Sequence, residues 1–79
     1  MRIHDMESDK SIDLVGIYLT IDEAKRLRDG LEILIKDPEQ HHDHITDSDY
    51  KKELILAVYT ENNMDSFDSR SRRLILEDK

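Results

Sequence analysis

Four adjacent residues, His41-His42-Asp43-His44, form the densest group of side chains able to do chemistry in this chain. Imidazole and carboxylate groups ligate zinc, nickel and copper. On a strand His42 and His44 would point to the same side, because alternate residues share a face. Asp47 follows closely enough to complete a metal set with them, and Asp49 or His4 are alternatives. The spacing lacks the rigid helical frame of an H-E-x-x-H motif. A polar edge strand whose histidines bond neighbouring carboxylates accounts for the same residues without a metal.

The segment also suits a pH-sensitive or anion-binding patch, since histidine titrates near neutrality. Arg70, Arg72 and Arg73 form a basic cluster, and a guanidinium grips phosphate in a bidentate fork. With the last element beside His41, His42 and His44, a small phosphate-bearing ligand would fit between them in a dimer-formed pocket. The commoner fate of such arginines is pairing with the chain's own carboxylates.

Other chemistries lack their signatures. The chain has no cysteine, which removes thiol nucleophiles, disulfides and cysteine-ligated zinc. There is no G-x-S-x-G elbow, and Gly16 and Gly30 are too far apart for a phosphate loop. Asp47-x-Asp49 begins like a calcium loop but lacks its glycine and its downstream glutamate. No catalytic residue is assigned, no cofactor is expected, and the chain is expected not to be an enzyme. Three further residues suggest contact with a partner. Met64 and Phe67 stand three apart in the polar stretch 60–71, and Ile33 falls on the polar side of a helix. Methionine and aromatic side chains are favoured at interface centres.

The elements that would position these groups follow from periodicity. Residues 12–19 are β-branched and apolar and predict a strand, with Gly16 marking a bulge or a close backbone approach. Thr20 and Glu23 form a capping box. Behind it Ile21, Ala24, Leu27, Leu31, Leu34 and Ile35 make one helical stripe. Asp37-Pro38 ends the helix. Gly30 on that helix would let another chain approach closely. Residues 41–46 start a short strand, and Asp47-Ser48-Asp49 is an acidic turn. Residues 51–60 carry a six-residue apolar run that reads as a central strand covered on both faces. Residues 72–77 predict a last strand.

The expected fold is therefore α+β, a small two-layer sandwich with one amphipathic helix on a mainly antiparallel sheet of 3–4 strands, in the order β-α-β-β-β. Residues 1–10 would be a flexible arm or an edge strand, and residues 11–79 a single domain.

Charge and size bound the function. With 19 acidic and 12 basic residues the net charge is -7, which disfavours a phosphate backbone, so no nucleic acid is expected. An acidic surface suits a basic protein partner, and equally it keeps a small protein soluble. No apolar run reaches membrane-spanning length and no leader-like stretch stands at the start, so no membrane partner and a cytoplasmic location are expected. One helix covers one face of a sheet that is apolar on both. A homodimer is expected to bury the other. The profile of size, acidity and missing catalytic motifs is shared, as a class, by immunity proteins and phage-encoded inhibitors of host defence. The expectation is a small acidic binding protein that inhibits or neutralises a protein partner.

Overall fold

Local hydrogen bonding decides where this chain becomes regular. The computed structural model describes residues 1–40, 42–47 and 49–79. It is a small α+β fold, and its described residues gather into two units. One comprises Met1–Ile17 with Phe67–Lys79, and the other Tyr18–Ser66.

In the unit Tyr18–Ser66, helix α1 spans Ile21–Lys36. Its start is the expected capping box: Glu23 N–H donates to Thr20 Oγ1 at 3.2 Å, and Thr20 N–H donates to Glu23 Oε1 at 2.9 Å. Asp22 and Glu23 in the first turn and Lys36 in the last complement the helix dipole. Asp37 caps the end, its N–H reaching Ile33 O at 3.0 Å, and a single 3-10 turn, Pro38–Gln40, follows. Strands β3 (Asp43–Thr46) and β4 (Glu53–Leu56) pair antiparallel, with Ile45 opposite Leu54 and His44 opposite Ile55. Of the acidic turn expected at Asp47-Ser48-Asp49, Ser48 lies outside the described residues, and Asp47 holds the backbone that follows. Its carboxylate accepts the N–H groups of Lys51 and Lys52 at 2.8 and 3.2 Å.

Helix α1 packs on β3, but the stripe is turned from its expected position. Gly30, Leu27 and Leu34 are shielded, while Ile21, Ala24 and Ile35 face solvent. The buried face is rotated by roughly 80° toward Gly30, at 100° per residue. The cause is a close approach. A Cβ on Gly30 would stand 2.5 Å from Asp43 Oδ2 and 3.6 Å from Ile45 Cδ1. Strand β3 of the same chain therefore occupies the space that glycine opens.

Asn63 closes this unit. It is 1% exposed, and every polar atom of its side chain is used. Nδ2 donates to Pro38 O at 3.0 Å and Val58 O at 2.9 Å, and Oδ1 accepts from Thr60 N–H at 2.7 Å. The short 3-10 helix Met64–Ser66 follows directly.

In the other unit, β1 (His4–Asp5) and β2 (Lys10–Ser11) form a two-residue ribbon. The Asp5 carboxylate accepts Glu7 and Ser8 N–H groups in the turn between them. Hydrogen bonds to Ser8, its side chain first, hold the Asp5 carboxyl below its usual range. Helix α2 spans Ser69–Glu77. Asp68 is its N-cap, accepting Ser71 N–H at 2.7 Å. That bond, the largest cause, lowers the Asp68 pKa. Arg2 caps the other end, its Nε donating to Leu74 O and Ile75 O at 3.1 Å each. Asp78, in the left-handed region at φ 57, completes the C-cap and accepts Ser11 Oγ at 2.6 Å.

Three expectations are corrected. Residues 72–77 are helix, because Asp68 supplies a cap that a three-residue apolar run could not signal. Among the described residues, 12–19 belong to no strand, for want of a partner strand beside them. The single sheet of 3–4 strands is instead two separate two-stranded sheets. Consequently β4 is not central: its exposure alternates from Glu53 to Leu56, with Leu54 and Leu56 shielded and Glu53 and Ile55 outward. The stretch expected to be an arm or edge strand, residues 1–10, holds the β1–β2 turn.

The rotated helix face yields a direct test. Leu34 is fully buried and Ile35 is 68% exposed, although both lie on the stripe read from sequence. Leu34→Ala is expected to cost about 2–5 kcal/mol and Ile35→Ala less than about 0.5 kcal/mol. Urea unfolding of the two variants measures the difference.

Candidate functional site

The histidine segment lies where β3 begins. His41 falls outside the described residues. His42 precedes the strand and is exposed, and His44 stands on the outer face of the β3–β4 ribbon. The two rings meet edge to face with centroids 4.9 Å apart, so they do share one side. His44 Nδ1 bonds Glu53 Oε1 diagonally across the ribbon, both side chains being about half exposed. Asp47 is engaged elsewhere. Its carboxylate holds the turn, and the N–H groups of Lys52 and Lys51 keep it ionised to lower pH than usual. Among the described residues, no three histidine or acidic groups are gathered so that they could hold a metal ion. His42 and His44 come together, and Asp47 is turned to its own backbone.

The arginines sit on α2, in the unit Met1–Ile17 with Phe67–Lys79, whereas the histidines belong to Tyr18–Ser66. Arg70 is bonded to its own chain through Nε and Nη2. Nε donates to Asp9 Oδ1 at 2.6 Å, and Nη2 donates to Asp9 O at 3.2 Å and Lys79 O at 3.1 Å. Its Nη1 is shielded from solvent without a hydrogen-bond partner among the described residues. Arg72 Nη1 donates to Phe67 O at 2.6 Å. Arg73 is exposed.

The residues read as partner contacts are distributed differently. Ile33 is half exposed on α1. Met64 opens the second 3-10 helix and is partly shielded, as is Phe67 beside α2.

Sequence reasoning missed two polar centres and one surface. Asn63 lies in a stretch that reads as a plain polar loop. Asp9, at φ 57, accepts both His4 Nε2 at 2.9 Å and Arg70 Nε on the same oxygen, joining the β1–β2 ribbon to α2. An acidic residue five positions from a histidine was the one available signal. The surface is the run from Leu14 to Ile21. Leu14 is 90% exposed, Tyr18 96% and Ile21 73%, whereas the sequence predicts a strand with one face under the helix and places Ile21 on the helix stripe.

No family model matches the chain, and no curated protein or solved structure matches it. Among the described residues, no helix is long and apolar enough to cross a membrane.

The Asp9 contact gives the unit an acid limit. Arg70 first, then His4, holds the Asp9 carboxyl below its ordinary value of 3.8. A carboxyl whose folded pKa is depressed contributes stability above the unfolded value. That contribution is lost as pH falls through the lower folded value. Unfolding midpoints between about pH 2 and about pH 6 should therefore fall toward acid in the native chain. In Asp9→Asn the slope from this group should vanish, leaving the shallower slope of the other depressed carboxyls, Asp5, Asp47 and Asp68.

Proposed function

We propose that this chain is a small acidic binding protein, without catalytic activity of its own, that inhibits or neutralises a protein partner. One observation carries this reading: the apolar run from Leu14 to Ile21 lies open to solvent. Each large apolar side chain left wet forfeits about 1.5–3 kcal/mol relative to burial. Among the described residues the buried hydrophobic side chains are Leu34, Ile45 and Ile75, so the loss is large for this fold. Apolar surface of that kind marks an interaction site.

Charge supplies the partner's character. A net charge of -7 speeds encounter with a basic surface and repels an acidic one. The apolar run then provides the contact, with few charges to desolvate. The alternative of a phosphate-bearing ligand is less well supported, because Arg70 and Arg72 are bonded to their own chain. A protein partner need not be foreign, and a homodimer remains part of the proposal.

A benzophenone cross-linker in place of Tyr18, carried by the intact chain in its native cell, tests this reading. Irradiation should yield an adduct with a second protein species, and Leu14→Asp with Ile21→Asp should abolish it. Adducts with copies of this chain alone, or none at all, would contradict a separate partner.

A further inference from the structure

We infer that His42 and His44 clamp one divalent nickel, copper or zinc ion between their rings, with Glu53 holding His44 in position for it. The site is independent of the apolar run proposed as a partner surface. Three observations on the β3–β4 ribbon point to it.

The first is a shared and anchored face. Along β3, Ile45 is buried and Asp43 is partly shielded against Gly30, while His42 and His44 are exposed on the other side. Residues two apart on a strand stand about 6.5–7 Å apart along it, so both rings reach a point between them. His44 pairs with Ile55 in the ladder, and its N–H donates to Asp43 Oδ1 at 2.9 Å. The strand thus supplies a frame that the spacing of the histidines does not reveal by itself.

The second is the distance between the rings. Their centroids are 4.9 Å apart, with the planes at 69°. A metal–nitrogen bond of about 2.0–2.1 Å places each ring centre about 3.2 Å from the ion. Two such rings at about 90–110°, from square to tetrahedral coordination, are then about 4.5–5.2 Å apart. The observed separation falls inside that range. The angle between the planes is unconstrained, since each ring turns about its own bond to the ion.

The third is the state of the nitrogens. His44 Nδ1 bonds Glu53 Oε1 across the ribbon. An ionised carboxylate only accepts, so in the neutral ring Nδ1 carries the proton and Nε2 keeps its lone pair. A carboxylate in this place is the usual support of a ligating histidine, fixing its tautomer and raising its basicity. Among the described residues nothing hydrogen-bonds the His42 ring, so both of its nitrogens are available. Asp43 and Asp47 stay out of the site, one facing Gly30 and the other holding the N–H groups of Lys51 and Lys52. Two protein ligands leave at least two positions of a four-coordinate ion to water or to a donor from another molecule. The clamp is therefore an open site.

Nickel ion alone, titrated calorimetrically into the native chain, should bind one to one. His42→Asn and His44→Asn should each weaken binding at least about tenfold, and His41→Asn should leave it within about twofold. Glu53→Ala should weaken it about tenfold, and Glu53→Gln less, because the amide oxygen still accepts from Nδ1. Circular dichroism verifies that each variant keeps the native spectrum. A second measurement needs no variant. Paramagnetic nickel should broaden the amide NMR signals of residues 42–44 and 53–55 of the native chain before any others. No binding, binding indifferent to both His42→Asn and His44→Asn, or broadening centred on His4 or on residues 47–49 would overturn the clamp. Glu53→Ala binding as the native chain does would remove Glu53 from the site.

Discussion

The constraint on which this structure depends is a shortage of interior. Among the described residues, Leu34, Ile45 and Ile75 are the buried hydrophobic side chains, far fewer than a stable independent core uses. Directed polar contacts fill the gap. In one unit Asn63 gathers Pro38, Val58 and Thr60 on a single buried amide. In the other, Arg2 closes the end of α2, while Arg70 and Asp9 tie its first turn to the β1–β2 ribbon. A satisfied buried amide adds only modestly to stability, but leaving its partners unpaired is costly. Such contacts specify a structure more than they stabilise it.

The same shortage explains the surface. Gly30 lets β3 come close to α1, so the helix turns its glycine inward and its outer leucine and isoleucine positions outward. Residues 13–19 have no neighbouring strand among the described residues and remain uncovered. A chain that buries so little and exposes so much apolar material is placed to gain from association. Its acidity limits which surfaces it can approach.

What could be read from the sequence follows the range of the signals. The capping box at Thr20 and Glu23 and the stop at Asp37-Pro38 are local devices, and each forms as read. The β3 and β4 strands appear, and β4 is shorter than its apolar run. Residues 72–77 are too few for periodicity to separate helix from strand, and the decisive cap at Asp68 lies outside the run. Residues 12–19 have strand composition, but a strand also needs a partner, which composition cannot supply. Of the candidate site, the shared side of His42 and His44 was legible, because it needs only local alternation. The engagement of Arg70 with Asp9, sixty-one residues away, was not. Nor was Asn63, whose role depends on three backbone groups brought to it by folding.

The central claim is that folding here is coupled to association, and concentration tests it most directly. Anything that binds the folded state alone raises apparent stability with its own concentration. Thermal unfolding of the native chain at about 1 µM and about 100 µM should show a midpoint that rises with concentration. A midpoint that does not move over that range, in a chain that sediments as a 9.4 kDa monomer, would contradict the account.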